Sequence, residues 1–328
     1  TLTWEIAMRP FARFLLIVVL LPLAALADIQ LPRLLSDGVV LQRDTTTSLW
    51  GWADDRERVE VFVDGVLAGS VVAEDGQWRV GIGSYPAGGP HRIEVVGQNR
   101  AVIDDVLFGD VWIASGQSNM VLPMARVRET FPDDIATADF PRIRHFTVPR
   151  EQDFNAPRAD LSAGEWQAVT PVSIMDFSAT GFFFARALYK QYGVPIGIVS
   201  TNYGGSGAES WMSEEALEAY PHYLEIAKRF RAPGYLQSLI DEDNRVADEW
   251  HGRLDENDAG LTGARSWHAP GLDDTDWLTR TVPGFWPEFE GKAGVFWLRR
   301  TFDIPGDVAG DPARLLFGRV VDADTTWV

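Results

Sequence analysis

The stretch that decides the fold reads GDVWIASGQSNM, residues 109–120. Its first half, DVWIA, is apolar enough to predict a β-strand buried on both faces, as the strands of parallel sheets are. Ser118 follows this strand within a few residues, where side chains of open α/β sheets project into the crevice that binds ligands. Gly116 permits a sharp turn just before it. The position therefore predicts that Ser118 is a nucleophile at a strand end.

A serine hydroxyl is a weak nucleophile, so it needs a base and donors that hold an oxyanion. The stretch VPIGIVSTNYGG, residues 194–205, predicts a second buried strand that ends in a glycine-rich turn. Gly204, Gly205 and Gly207 have no β-carbon, so the backbone N–H groups of this turn can point at a bound carbonyl oxygen. The turn lacks the Gly-Lys-Ser/Thr ending of a phosphate-binding loop, which disfavours nucleotide binding.

A helix is predicted between the two strands, in SATGFFFARALYKQYG, residues 178–193. Ser178 can cap its start and Gly193 its end, while Phe182, Ala185, Tyr189 and Tyr192 share one face. A strand, a helix and a second strand in this order predict a parallel sheet. The segment RIRHFTV, residues 142–148, predicts a further strand in the same unit.

Residues 28–108 have a different pattern, in which apolar and polar residues alternate with a period of two. Asp64-Gly65 and Asp75-Gly76 mark tight turns between alternating runs. Short strands at this spacing predict a small β-sandwich without catalytic residues.

Composition excludes several classes of partner. The chain has 328 residues, 46% of them hydrophobic, so it can bury large cores. Its net charge of −18 argues against nucleic acid as a ligand, because phosphate binding requires clustered Lys and Arg. There are no cysteines, so stability cannot come from disulfides.

Residues 1–27 have the composition of a secretory signal peptide, preceded by extra residues. Thr1–Ala7 look like an over-extended reading frame before Met8. Basic residues then precede an apolar run that ends in Ala25-Leu26-Ala27, a small-x-small cleavage pattern. The run is shorter than the ~20 residues of a membrane span, which disfavours the alternative of a membrane anchor. We therefore expect a secreted or periplasmic protein, with no stable membrane insertion after cleavage.

These motifs carry a family resemblance. GDVWIASGQSNM, together with IRHFTVPR, FSATGFFFARAL and VPIGIVSTNYGGSGAESWMS, resembles the sialate O-acetylesterase family, carbohydrate esterases of the SGNH-hydrolase type. The resemblance implies a multidomain α/β protein whose catalytic domain has a flavodoxin-like parallel sheet. The later stretches GVFWLRRTFDIP, residues 294–305, and ARLLFGRVVDADTTWV, residues 313–328, predict two β-strands of a new domain. WHAPGLDDTDWLTRTVPGFW together with GVFWLRRTFDIP looks like the start of a galactose-binding-like β-sandwich that is inserted in the catalytic domain.

The domain organisation expected from pattern and resemblance has four parts. Residues 1–27 are the signal peptide, and residues 28–108 the N-terminal β-sandwich. Residues 109–245 are the first part of the esterase domain. Residues 246–328 are the start of the inserted β domain. The chain is expected to be a C-terminally truncated fragment.

The resemblance also implies the chemistry. Ser118 would form an acetyl-serine intermediate, and its own N–H and that of Gly205 would form part of the oxyanion hole. Acetylated sugars would be the substrates, without metal or cofactor. The family pattern also contains a later GESN-like block and a terminal Asp-x-x-His that supplies the base. Because neither is found where the pattern places it, the fragment is expected to be inactive alone.

Two further pairs of residues need interpretation. Glu209 and Trp211 follow the glycine turn and could line a substrate pocket, since an indole face suits a sugar ring; alternatively, Trp211 packs under the next helix. Asp248 and His251 have the Asp-x-x-His spacing but lie in a charged segment with helical composition, so a solvated helix face is the favoured interpretation.

The remaining histidines are expected to be structural: His91, His145, His222 and His268.

Two other functions remain open from the sequence. One is a non-catalytic carbohydrate-binding protein whose α/β unit has no complete site. The other is an accessory region of a glycoside hydrolase, for which no acid pair stands out. The sequence does not indicate an oligomeric state.

Overall fold

The computed structural model describes residues 28–284, 286–313, 315 and 324–328. The chain divides into two compact units, Thr1–Leu224 and Glu225–Val328. The signal peptide predicted for residues 1–27 lies outside the described residues. Within the described ranges, no helix has both the length and the apolar character that a membrane crossing requires.

Over its described residues, the first unit contains ten strands and four α-helices, and a fifth α-helix begins in it. The strands are β1 (Val40–Gln42), β2 (Thr46–Trp52), β3 (Arg58–Val63), β4 (Val66–Val72), β5 (Gln77–Ser84), β6 (Gly88–Val96), β7 (Arg100–Gly116), β8 (Phe140–Thr147), β9 (Trp166–Val169) and β10 (Ile196–Asn202). The helices are α1 (Ser118–Val121), α2 (Pro132–Ala136), α3 (Ala179–Tyr192), α4 (Glu214–Leu217) and α5 (Pro221–Arg229), the last of which reaches into the second unit.

The N-terminal strands form two sheets around one core. β2 and β5 pair with each other, while β4, β3, β6 and β7 form one end of a larger sheet. Alternate residues of both sheets point into the core, among them Ile82 of β5 and Ile93 of β6, each fully buried. Asp64 and Gly65 have positive φ angles of 50° and 79°, which confirms the tight turn predicted there. The assignment of residues 28–108 as a β-sandwich domain stays a prediction.

β7 belongs to both the N-terminal β region and the α/β region. Its first half pairs antiparallel with β6, and Leu107 lies beside Val40 of β1. From Asp110 onward the same strand pairs in parallel with β10. The boundary predicted between residues 108 and 109 therefore falls inside a continuous strand, because the backbone ladder does not break there.

The α/β region has the predicted strand, helix and strand. β7, β10 and β8 are parallel, and β9 adds an antiparallel edge. The Ser178 hydroxyl accepts a hydrogen bond from the Gly181 N–H and caps α3, which ends at Gly193 with a φ of 67°. Both predicted helix ends are thus confirmed. On the predicted apolar face Phe182 and Ala185 are buried, whereas Tyr192 is exposed.

The prediction that DVWIA is buried on both faces is wrong for two of its residues. Trp112 is 45% exposed and Ile113 is 71% exposed. Among the described strands only β10 pairs with residues 110–116 of β7, so the opposite edge of this segment is open. The side chains of a strand point to the two faces of the sheet, so they stay in water where no other element packs on that face.

The second unit is helical and irregular over its described residues. It contains α6 (Tyr235–Asn257) and α7 (Ala259–Thr262). The boundary predicted at residues 245–246 falls inside α6. GVFWLRRTFDIP, residues 294–305, was predicted as a strand, but the structure has none there. No strand is described in this unit, so the segment has no neighbour for a backbone ladder. The predicted strand that begins at residue 313 lies largely outside the described residues.

A buried arginine ties the two regions of the first unit together. Arg144 of β8 is 6% exposed. Its guanidinium donates to the Gly38 carbonyl at 2.7 Å and forms an ion pair with Asp105 of β7 at 2.8 Å. Nη1, the nitrogen that donates to the Gly38 carbonyl, also donates to the Asp105 carbonyl. The side chain thus satisfies acceptors of the N-terminal region from a strand of the parallel sheet.

Replacing this arginine should destabilise the first unit. Arg144→Met leaves a charge and two carbonyls without their donor, which we expect to cost about 3 kcal/mol of the free energy of unfolding. The measurement is the urea midpoint at constant slope. Arg58→Met is the matched control, because Arg58 pairs with Glu60 on the surface and its loss should cost less than about 1 kcal/mol. Equal costs in both variants would contradict the role given to Arg144.

Candidate active site

Ser118 lies where β7 turns into α1. The strand ends at Gly116, whose φ of 137° only glycine adopts without strain. Ser118 is the first residue of α1 and its side chain is exposed. The predicted strand-end position is therefore present in the structure, and the hydroxyl is open to a bound molecule.

The turn that carries Ser118 is fixed by the start of α3. The Ala179 N–H donates to the Leu122 carbonyl at 2.8 Å, and the Thr180 hydroxyl donates to the Asn119 carbonyl at 3.2 Å. Within the turn, the Met120 N–H donates to the Gln117 carbonyl at 2.9 Å. Hydrogen bonds on both sides of Ser118 thus hold its backbone in place.

The glycine turn predicted to complement Ser118 lies beside it. β10 is in register with β7, with Asn202 opposite Gly116, and the Tyr203 N–H donates to the Gly116 carbonyl at 2.9 Å. A β-carbon added at Gly204 would lie 3.9 Å from the Ser118 Cα. Gly205 follows with a φ of 80°. The structure thus brings the two strand ends together, while the oxyanion role of Gly205 stays a prediction.

Glu209 and Trp211 lie in the short 3-10 helix Ala208–Trp211 after the turn. The Trp211 indole N–H donates to the Ser206 hydroxyl at 3.0 Å, and that hydroxyl donates to the Tyr203 carbonyl at 2.7 Å. Trp211 is 43% exposed, and its role in lining a substrate pocket stays a prediction. A β-carbon at Gly207 would collide with the Glu209 carboxylate, so this carboxylate folds back over the turn.

Two polar or aromatic residues near this turn were missed by the sequence analysis. Tyr203 is 43% exposed, and the guanidinium of Arg150 lies 5.9 Å from its ring centroid. Arg150 follows β8, at the same edge of the sheet as the ends of β7 and β10. The motif IRHFTVPR indicates that Arg150 follows a strand. The sequence does not indicate that this strand pairs with β10, which is what brings Arg150 to the edge that carries Ser118.

The described residues supply no base at hydrogen-bond distance from Ser118, whose hydroxyl has no partner there. Asp248 and His251 lie on α6 in the second unit, and both are exposed. His91 binds the Asp64 carboxylate at 2.7 Å in the N-terminal region. The same parts of the chain hold no group of three or more acidic or histidine side chains placed to bind a metal ion.

His145 is a buried histidine of β8 with a perturbed pKa. It is 5% exposed, and its ring stacks on Phe177 with centroids 4.3 Å apart. Nδ1 lies 3.2 Å from the Thr147 hydroxyl, whereas Nε2 has no partner. Burial disfavours the charged imidazolium and lowers the pKa of His145 from 6.5 to about 4. The imidazole is therefore neutral at pH 7.

An exposed serine after a parallel strand, with a glycine turn on the neighbouring strand, is the arrangement of an α/β serine hydrolase. Comparison with known proteins makes the class more specific. Residues 108–240 match the profile of the family described as carbohydrate esterase, sialic acid-specific acetylesterase.

Individual relatives agree with the family. The chain is 33% identical over 164 residues to sialate O-acetylesterase of Rattus norvegicus, which covers 46% of this chain and 30% of the relative. It is 29% identical over 211 residues to the human sialate O-acetylesterase, covering 56% of this chain and 39% of that protein. A carbohydrate acetylesterase from Xanthomonas citri has a similar structure, with a TM-score of 0.55 and 42% identity over 58% of this chain and 44% of that one. The chain therefore spans less than half the length of these relatives.

His145 should make the stability of the fold depend on pH. Its pKa is lower in the folded state, so its contribution is fully present above pH 6.5 and is lost as the pH falls to about 4. The loss should be about 3 kcal/mol of the free energy of unfolding between about pH 7 and pH 4. In His145→Phe, urea unfolding at both pH values should show a correspondingly smaller decrease than in the wild type. His222→Phe is the control, because His222 is exposed; parallel decreases in wild type and His145→Phe would contradict the prediction.

Proposed function

We propose that this chain carries the nucleophile and part of the oxyanion hole of a serine esterase that removes O-acetyl groups from sialic acids or other acetylated glycans. The observation that carries the proposal is the exposed Ser118 beside the turn of Gly204 and Gly205. The match of residues 108–240 to the esterase family profile supports it. The apolar segment in residues 1–27 supports a secreted or periplasmic location.

In the proposed reaction the Ser118 oxygen attacks the carbonyl carbon of the acetyl ester, and its proton passes to a base. The carbonyl oxygen becomes an oxyanion, for which the N–H groups of Ser118 and Gly205 are the proposed donors. The bond from carbon to the sugar oxygen then breaks, and the sugar leaves with the proton. Water attacks the acetyl-serine, releases acetate and restores the hydroxyl.

The base is proposed to come from outside the described residues. Ser118 has no imidazole or carboxylate partner there, and the chain spans less than half the length of the relatives that it matches. We propose that the Asp-x-x-His pair of the family pattern lies in a segment that corresponds to the part of the relatives which this chain does not cover. Without a base the hydroxyl keeps its proton and attacks slowly.

A second candidate is a non-catalytic carbohydrate-binding protein. Exposed aromatic side chains favour it, because Tyr203 and Trp211 are each 43% exposed and lie in one loop after β10. Such faces bind the C–H surfaces of sugar rings without any chemistry. In that case the chain would bind acetylated glycans and release no acetate.

Removing the nucleophile tests the esterase proposal. In the complete gene product, Ser118→Ala should lower kcat for p-nitrophenyl acetate and for O-acetylated sialic acid at least about a thousandfold, because no acyl-enzyme can form. Acetate release is the measurement. Ser70→Ala is the matched control, an exposed serine on β4 that should keep the wild-type rate. Full activity in Ser118→Ala would exclude the serine mechanism. Glycan binding without acetate release by the wild type would favour the carbohydrate-binding alternative.

The 328-residue chain alone tests where the base lies. It should release acetate from p-nitrophenyl acetate no faster than its own Ser118→Ala variant, since removing the base of a triad costs several powers of ten in kcat. If the chain is instead active, His251→Ala decides the assignment. Loss of that activity in His251→Ala would make Asp248 and His251 the catalytic pair and overturn our placement of the base.

A further inference from the structure

Three parallel strands end at the same edge of the sheet, and each is followed by a different kind of residue. Ser118 follows β7, and the glycine turn follows β10. The ladder continues past the end of β8, where the Val148 N–H donates to the Ser200 carbonyl at 3.0 Å, and Arg150 lies two residues further on. Ligands of open α/β sheets bind at this edge. The position of Arg150 thus places a positive charge on the side where the serine is exposed.

Tyr203 connects Arg150 to the serine turn. Its N–H donates to the Gly116 carbonyl, and the next residue, Gly204, lies against the Ser118 Cα. The Arg150 guanidinium lies over its ring, 5.9 Å from the centroid, and its hydroxyl lies 3.5 Å from the Gln152 side-chain nitrogen. A single residue therefore touches both the turn beside the nucleophile and the arginine.

The positive charge of Arg150 is not neutralised by its neighbours. The two acids that follow it in sequence, Glu151 and Asp153, both form ion pairs with Arg158 instead. Arg150 is exposed and has no carboxylate within ion-pair distance among the described residues. In a chain with a net charge of −18, an arginine without a carboxylate partner at this edge is available to an anion from outside.

We propose that Arg150 and Tyr203 form a subsite that binds a carboxylate carried by the acetylated sugar. The guanidinium is planar and donates two parallel hydrogen bonds to a carboxylate, which an ammonium cannot do. The cation–π contact with Tyr203 holds the guanidinium in place, and the exposed part of the ring can pack on the sugar. The subsite rests on the proposed function and makes the site selective for acidic sugars over neutral acetylated ones.

A purely structural arginine on an aromatic ring gives a matched comparison within the same chain. Arg79 of β5 lies 5.8 Å from the ring centroid of Trp50 and is also exposed. It belongs to the two-stranded sheet of the N-terminal region, away from the strand ends that carry Ser118. Loss of Arg79 removes the same kind of contact without removing charge from the proposed subsite.

The test compares two ligands that differ by one negative charge, N-acetylneuraminic acid and its methyl ester. Dissociation constants for the 328-residue chain are measured by ligand-detected NMR. The wild type should bind the acid about tenfold more tightly than the ester, since a charged hydrogen-bonded pair is lost with the ester. Arg150→Gln should bind the two equally and leave ester binding unchanged. Arg150→Lys should keep part of the preference, and Arg79→Gln all of it.

Three differences in binding would contradict the subsite. They are equal binding of acid and ester by the wild type, a preference that survives in Arg150→Gln, and an equal loss of both ligands in Arg150→Gln, which would indicate a structural role. Binding of neither ligand by the wild type would overturn it as well. The esterase proposal is tested separately by the release of acetate from p-nitrophenyl acetate. This substrate has no carboxylate that the subsite could bind, so loss of the subsite should not affect its hydrolysis by the complete gene product.

Discussion

The architecture of the first unit depends on β7, a single strand that takes part in both an antiparallel and a parallel hydrogen-bond ladder. The N-terminal half of β7 has antiparallel geometry on one edge, and its C-terminal half has parallel geometry with β10. Gly109 lies at the change, and a β-carbon there would collide with the backbone of Pro195. A second close approach lies next to it, where Val40 packs against Gly197 of β10 so tightly that a β-carbon would not fit. Two glycines thus allow the N-terminal strands and the parallel sheet to meet.

The candidate site inherits its geometry from this arrangement. The register of β7 with β10 decides that the turn after Asn202 lies beside the turn after Gly116. The pairing of β10 with β8 then decides that Arg150 reaches the same edge. The residues of the proposed site therefore follow three different strands: Ser118 follows β7, Tyr203 and Gly205 follow β10, and Arg150 follows β8. α3 adds the hydrogen bonds that hold the serine turn.

The sequence predicted those features that depend on local chemistry. A capping serine and a left-handed glycine marked both ends of α3, and Asp64-Gly65 marked a turn. Ser118 was found because it follows an apolar strand and because its motif resembles a family. The continuity of β7 was missed, since the residue pattern changes from alternating to apolar at Gly109 and this change imitates a domain boundary. Arg150 was missed because its role requires the strand order, which pairing between distant segments determines.

The exposure of Trp112 and Ile113 has the same kind of origin. A run of apolar residues indicates that a strand can be buried, but burial requires elements that pack on both faces of the sheet, which no local pattern specifies. The second unit gives a further example of a pattern that is not sufficient. The segment around Trp297 has the composition of a strand, but the described residues form no strand there, and the Trp297 indole N–H donates to the Asp258 carboxylate.

The continuity of β7 decides where the chain can be shortened. A version that begins at residue 109, at the boundary that the sequence pattern favours, would lose β1, the Gly38 carbonyl and Asp105. The charge of Arg144 would then remain in the sheet without these two partners, and the strand that ends at Gly116 would begin at Gly109. The N-terminal strands thus supply contacts to the sheet that carries Ser118, and a deletion that ends at residue 108 removes these contacts.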